Sequence, residues 1–394
     1  MRSLANEWFE IVKGKTIWTI FLVPLIVAVL FGYLFSNNQI NETHLAIIDE
    51  DNSAYSRQLI NNLDASQYIQ VDQVFHSAMD PNMLFYNEKY AAVLYMPLGL
   101  EQNRYTGKQT NIGLVLDNTI PTVTTFVRQG VQEVFTTENT QNGIGKLKAM
   151  GLSDEAAVAT QSGLALQQRS LYNPNSEFIM ISVIGFMTTL IVSFMLKNGS
   201  AIIPRLRSEG LWEEELSRPL GILARPLPYI MFTTASILLA MGLLKQVGGM
   251  RFAGSPMDFL IPTFLFTSVT YYLAMAVTWT VSNPDKAFGR TLFILIPSSL
   301  LSGLLIPVPM LPAILQTLSK FVPINYYLKF VRGIGFRGGS LSYFPQEMGM
   351  LLLMQAFLFV IIGLLIWRDK RRLAQQTAKV ESPTPALSKG ISTV

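Results

Sequence analysis

The chain has 394 residues, 50% of them hydrophobic and only 14% charged, whereas soluble domains average about 25% charged residues, so long stretches must carry no charge at all. It has no cysteine and two histidines, His44 and His76, which excludes disulfides, thiolate catalysis and cysteine-bound metal, and a zinc site would have to draw on carboxylates. The net charge of +4 suits a membrane protein with Lys and Arg in its cytoplasmic loops and needs no nucleic-acid partner.

The first 16 residues form an amphipathic stretch over 4–12, predicted to be a helix on the cytoplasmic side. Gly14-Lys15-Thr16 matches the end of a phosphate-cradling loop, but Phe9 stands where its first glycine belongs and no strand precedes it, so we reject a nucleotide site. Six segments then lack charge over about 19 or more residues, enough to cross ~30 Å of hydrocarbon. These predicted transmembrane helices are 17–35, 178–196, 226–244, 259–281, 291–311 and 348–367. The first has a basic front but no small-residue cleavage site after Phe35, so it is expected to be a retained anchor.

Between the first two spans, residues 36–177 have a different character. Leu45-Ala-Ile-Ile48 ends in Asp49-Glu50-Asp51-Asn52, a strand and a turn, and Ser53 can cap a helix through Asp64. Residues 68–75, 91–96 and 111–116 are predicted strands. From Pro121 the pattern is helical, with Val123, Phe126, Val127, Val131, Val134 and Phe135 on one face, and Ser153 can open a further helix. This predicts an extracytoplasmic α/β domain on two helical stalks, one continuing the first span and one leading into the second.

With the N-terminus placed inside, residues 1–16, 197–225, 282–290 and 368–394 hold 16 of the 30 Lys and Arg, which is the bias of cytoplasmic segments. Both termini are therefore expected in the cytoplasm. The basic run Arg368-Asp-Lys-Arg-Arg372 marks topology and can also meet anionic lipid. From Gln375 onward a flexible tail is expected.

The inner loop 197–225 has the densest charge. Arg205 and Glu209 are four apart and can pair, and Trp212 and Leu216 share a face of a short amphipathic helix ended by Pro219. It is either a solvated connector or a docking helix for a cytoplasmic partner. Residues 312–347 form the outer loop, with amphipathic stretches 312–321 and 326–336 that should dip into the membrane or lie on it. Its aromatics Tyr326, Tyr327, Phe330 and Phe336 are expected at the membrane interface. The spans lack the Asp, Glu and His of ion-coupled carriers, Asp258 and Asp285 lying at span edges. They do carry hydroxyls, among them Thr188, Ser193, Thr270, Tyr271, Ser298 and Ser299, which either glue helices together or line the path of an amphipathic substrate.

Three passages resemble the permease subunit of type-2 ATP-binding-cassette (ABC) exporters, in the subgroup with a large domain after the first span. Leu45-Ala-Ile-Ile-Asp-Glu-Asp-Asn-Ser-Ala-Tyr-Ser-Arg-Gln-Leu59 is similar to the family's V-V-D-x-D-x-S-x-x-S-R, and Ala91-Ala-Val-Leu-Tyr-Met-Pro97 to its later strand. Arg205-Leu-Arg-Ser-Glu209-Gly210 resembles the coupling loop R-E-x-E-x-G-T, followed by Arg225-Pro-Leu-Pro-Tyr229 for K-x-l-P-Y. Leu301-Ser-Gly-Leu-Leu-Ile-Pro307, Leu311-Pro312, Val322-Pro-Ile-Asn-Tyr326 and Val331-Arg-Gly-Ile334 resemble the family's outer loop. The chain departs at Gly210-Leu-Trp-Glu-Glu-Glu, where the family has Gly-Thr-x-Glu-x-Leu.

The resemblance implies no catalytic residue, cofactor or metal on this chain. ATP and magnesium would belong to two cytoplasmic ATPase subunits, and the permease would pair with an identical copy or a sister. It places ATPase coupling at Arg205, Arg207, Glu209, Gly210, Trp212, Glu213 and Leu216. An outer gate loop would hold Ser302, Gly303, Pro307, Pro312, Pro323, Tyr326, Arg332 and Gly333. A drug, lipid or similar amphipathic substrate would leave across the cytoplasmic membrane, and in a two-membrane envelope the outside domain would meet a periplasmic adaptor. The competing readings are a membrane-anchored binding or sensing protein with the α/β domain as receptor, and a membrane-embedded enzyme, for which no intramembrane acid pair or ligand set is present.

Overall fold

The computed structural model describes residues 2–14, 16–35, 43–85, 89–117, 121–161, 179–304 and 306–381. The chain divides into two compact units, Met1–Asn37 with Ile179–Val394, and Asn38–Phe178. Lys15 of the rejected phosphate-loop motif and the stalk expected before the second span fall outside the described residues.

The first unit opens with α1 (Arg2–Lys13) and α2 (Val23–Leu34), the latter entered through a widened turn at Trp18–Leu22. Helix α1 buries Glu7 and Ile11, one helical turn apart, and exposes Trp8, Phe9 and Val12. An apolar stripe left outside is what a helix at a membrane surface shows.

The second unit holds β1 (Thr43–Asp49), α3 (Ala54–Asp64), β2 (Ile69–Phe75), β3 (Ala92–Met96), α4 (Leu100–Thr106), β4 (Gly113–Leu116), α5 (Pro121–Ala149) and α6 (Asp154–Gln161). The sheet order is β2-β1-β3-β4, with β1 parallel to β2 and β3, and β4 antiparallel at the edge. Central β1 is buried on both faces, which explains its near-continuous apolar run. Leu45, Ile47 and Leu94 pack with Tyr55, Leu59 and Leu63 of α3 and Val127 and Val131 of α5, while Ala46, Ile48 and Val93 face a smaller cluster around Tyr90. Ser53 closes a reciprocal capping box with Ser56 at the start of α3. The Asp51 carboxylate accepts hydrogen bonds from the backbone N–H of Gly99 (2.7 Å), Leu100 (3.0 Å) and Glu101 (3.0 Å), capping α4 from a distant loop. Burial pushes its pKa up, but these bonds and one with Ser53 together hold it below the ordinary aspartate value.

The first unit resumes with α7 (Ile184–Ser208), α8 (Trp212–Ser217), α9 (Pro219–Ala224), α10 (Leu227–Gly248), α11 (Pro256–Val277), α12 (Pro284–Leu301), α13 (Ala313–Ser319), α14 (Pro323–Phe330) and α15 (Pro345–Glu381). Among the described residues, four helical stretches are long and apolar enough to cross a membrane: Ile184–Ser208, Pro219–Gly248, Pro256–Val277 and Pro345–Gln375. The bent pair Glu7–Lys13 and Trp18–Leu34 makes a fifth candidate. The expected span 291–311 is not among them. Its helix α12 starts earlier, capped by the Asn283 side chain, carries Asp285, Lys286 and Arg290 in its first turns, and stops at Leu301 before a short turn at Val308–Met310. Two other boundaries differ. Helix α7 continues past Leu196, through Pro204, to Ser208 and ends at the Gly210 turn, and α15 runs through the expected tail as far as Glu381.

The aromatics expected at a membrane interface point into the protein. Tyr326, Tyr327, Phe330 and Phe336 are all buried in protein, because α14 packs on α11 with the Tyr327 ring stacked on Phe266 at 4.4 Å. The exposed apolar residues here include Met310, Ile314, Leu318, Phe321 and Tyr343.

Candidate coupling site

Helix α7 carries Arg205 and Arg207 in its last turn, where cations suit the helix dipole. It ends in a Schellman turn: the Leu211 N–H bonds the Leu206 carbonyl at 3.0 Å and Gly210 takes φ 72°. A side chain at Gly210 would be strained there, so the glycine sets the sharp change of direction into α8. Helix α8 starts with Glu213, Glu214 and Glu215, again with the dipole. Pro219 then bars a continuous helix, breaking the chain at Arg218 before α9. The hydroxyl of Tyr272 in α11 holds α9 by donating to the Leu223 carbonyl at 2.6 Å.

Two ionic clusters brace this hairpin. In the first, the Glu7 carboxylate of α1, fully buried, accepts from Arg205, from Arg225 between α9 and α10, and from the Tyr229 hydroxyl of α10 at 2.8 Å. Arg225 also donates to Glu215 of α8 at 2.6 Å, and Arg205 reaches Glu10 at 3.7 Å. Glu7 thereby joins α1, α7 and α10 through one side chain, with α8 attached through Arg225. The pairing expected between Arg205 and Glu209 does not form. Arg205 turns to the buried carboxylate of Glu7, where its charge is compensated at low dielectric, while Glu209 ends α7 in solvent.

In the second cluster, Asp369 of α15 accepts from Arg207 (2.9 Å), from the Trp279 indole N–H (3.0 Å) and from both Nε (3.0 Å) and Nη2 (2.9 Å) of Arg368. The Arg207 guanidinium lies 4.7 Å from the Trp212 ring centroid, and Trp212 meets Trp279 edge-on at 5.4 Å. Leu216 is buried under α8, while Glu213 and Glu214 remain exposed. A short helix with an exposed acidic face is thus linked through Arg225 to Glu7 of α1, and through Arg207 and Trp279 to Asp369 of α15.

Sequence reasoning placed Arg205, Arg207, Glu209, Gly210, Trp212, Glu213 and Leu216 at this hairpin, but not Glu7, Glu215, Arg225, Tyr229, Trp279 and Asp369 among the site residues. Two signals were available: Glu7 shares the face of α1 that Ile11 buries, and Asp369 is the lone acid in a basic run.

The other candidates lie elsewhere in the same unit. Ser302 is buried and donates to the Ser299 carbonyl at 2.7 Å, and Arg332 donates to the Gly303 carbonyl at 3.4 Å. Pro307 precedes the turn at Val308–Met310, Pro312 precedes α13 and Pro323 opens α14. Tyr326 donates to the Lys320 carbonyl at 2.8 Å. Gly333 sits so close to the Phe344 ring that a Cβ there would lie 2.2 Å from it. Among the span hydroxyls, Thr188, Thr270 and Ser299 donate to their own helices, and Tyr271 meets Thr233 across helices at 2.8 Å. Ser298 is buried, and Ser193 is half-buried. Among the described residues no group of three or more His, Cys, Asp or Glu is placed to hold a metal.

Residues 15–364 match the family described as ABC-2 family transporter protein. Relatives include the probable multidrug ABC transporter permeases YbhR and YbhS of Escherichia coli K12. YbhR is 23% identical, covering 90% of this chain and 94% of its own, and YbhS is 22% identical, covering 93% and 96%. The linearmycin resistance permease protein LnrN of Bacillus subtilis is 20% identical over 88% of this chain and 93% of its own. The match runs through the apolar helices and both ends of the braced hairpin, and on that footing the chain belongs to the ABC-2 transporter family, as a multi-pass membrane permease rather than a catalytic enzyme.

Proposed function

We propose that this chain is the membrane subunit of an exporter that moves an amphipathic or hydrophobic substrate, such as a drug or lipid, outward across the cytoplasmic membrane. Two separate cytoplasmic ATPase subunits would supply the energy, binding ATP and magnesium. The observation that carries this reading is the braced hairpin: α8 presents acidic residues outward, its Glu215 pairs with Arg225 and its Trp212 packs on Arg207 and Trp279, and these partners in turn bond Glu7 of α1 and Asp369 of α15. A rigid lever of this kind can pass an ATPase movement into the spans. The relatives' names, which mention multidrug transport and linearmycin resistance, favour a drug-like substrate.

In this proposal there are six spans, with α2 as the first and α12 counted as the fifth, and the braced hairpin and both termini face the cytoplasm. The four-stranded unit stands outside, where an adaptor could meet it. The permease works as a dimer with itself or a sister subunit. The segment from Ser302 to Gly333 forms the outer gate. Ser193 and Ser299, both half-buried, mark the substrate path beside Thr188, Thr270, Tyr271 and Ser298. Reconstitution with the cognate ATPase tests this: drug-stimulated ATP hydrolysis and ATP-dependent drug movement are expected. A preparation that binds drug but never binds an ATPase would favour a receptor instead.

A further inference from the structure

A cleft of about 310 Å³ opens beside the second ionic cluster, between α8 and the end of α15. Arg207, Arg368 and Arg372 line it, with Trp212 and Leu216 on its apolar side and Glu213 as its second acid. The acid already inside, Asp369, has its acceptor capacity filled by Arg207, Trp279 and two bonds from Arg368. Two guanidiniums therefore share one saturated carboxylate. The Nε of Arg207 is buried without a hydrogen-bond partner. With Arg372 added and Glu213 subtracted, the cleft keeps a net positive charge, a polar wall and an apolar wall.

Its depth also matters. The charge-free run of α15 ends at Trp367, one residue before Arg368, and Arg371 stacks over the Trp367 ring at 3.8 Å. Tryptophan and arginine at the end of an apolar helix mark the headgroup layer. We propose that this cleft binds the phosphate of an anionic phospholipid of the inner leaflet, with Arg207, Arg368 and Arg372 around the phosphate and Trp212 and Leu216 against the glycerol and first methylenes. The inference rests on the proposed orientation, with the hairpin end of the unit on the cytoplasmic side. The lipid would sit against α8 itself, so membrane charge would bias the same element through which the ATPase acts.

The test uses the full-length chain, purified in detergent without ATPase, and native mass spectrometry with phosphatidylglycerol and phosphatidylcholine of matched acyl chains. Phosphatidylglycerol should bind the more tightly. Arg372→Ala should weaken it about fivefold, as one basic residue near the headgroups contributes, Arg372→Lys should largely keep it, and Glu213→Gln should tighten it by a similar factor. Inorganic phosphate is the competitor: failure to displace the lipid identifies a lipid site, whereas full displacement assigns the cleft to free phosphate and overturns the lipid. Equal binding of the two lipids, or no response to Arg372→Ala and Glu213→Gln, overturns the site altogether. Co-purification of the ATPase in a parallel sample separates the outcomes, because lipid binding can fail while ATPase capture persists, and the reverse would count against the permease reading alone.

Discussion

Replacing Glu7 by Gln tests the brace at its centre. The Glu7 carboxylate is fully buried and takes bonds from two guanidiniums and one phenol. Glutamine keeps the shape but removes the charge, and its amide N–H groups would point at a guanidinium. Arg225 is nearly as buried and would keep only Glu215, and Arg205 only the more distant Glu10. Breaking one partner of a buried pair costs about 3–5 kcal/mol. That loosens α1 from α7 and α10 by a factor of roughly 150 to 5,000. The assay is amide hydrogen exchange over α1 together with drug-stimulated ATP hydrolysis in the reconstituted complex. We expect α1 to lose protection and drug stimulation to fall toward the basal rate, with ATPase binding retained through α8. A double-mutant cycle with Arg225→Met should recover part of the loss, since the second charge is then gone too. A change in α1 protection below about 1 kcal/mol, the scale of an exposed pair, would refute the reasoning.

Charge reversal at Arg205 alone should uncouple transport, while reversal at Glu209 alone should leave it near wild type, measured as drug efflux per ATP. The contrast follows from Arg205 bonding Glu7 while Glu209 faces solvent. Gly333→Ala should destabilise the segment from α14 to α15 by about 1–3 kcal/mol, because the new methyl meets the Phe344 ring, and Phe344→Leu should partly restore the thermal midpoint. Asp51→Asn should loosen α4 by about 1.5–3 kcal/mol, followed by limited proteolysis of the full-length protein. The pH sign follows from its lowered pKa: the contribution is complete above the ordinary aspartate value of 3.8 and is lost as pH falls through the lower folded value. An acid-active protease should therefore cut wild type and Asp51→Asn alike at the lowest pH and differ between them above it.

Local signals proved legible where structure is local. The alternation in 68–75, the apolar run at Leu45 to Ile48 and the Ser53 cap all correspond to observed elements, because strand period and capping are written in neighbouring residues. Charge-free runs showed where apolar helices lie but not where they end, since a helix such as α7 continues past Lys197 with charged residues beside buried Ile202, Ile203 and Leu206. Arg205 was expected to find its partner four residues away and instead found Glu7, 198 positions earlier in the chain. A pairing at that separation leaves no periodic trace. The aromatics of α14 are a related case: Tyr and Phe suit a lipid interface and a protein interior equally, and their burial rests on distant partners such as Phe259 and Phe266 of α11 and Phe344.

The central claim is that α8 receives the ATPase. The chain has no cysteine, so Glu214→Cys in the otherwise unchanged protein carries a single thiol on the exposed face of α8. Coupling a thiol-reactive photo-crosslinker there in membranes containing the cognate ATPase should capture that ATPase, with a yield that changes when ATP is added, while a cysteine at Tyr105 in the four-stranded unit should capture none. No capture from α8, or equal capture from Tyr105, would contradict the account.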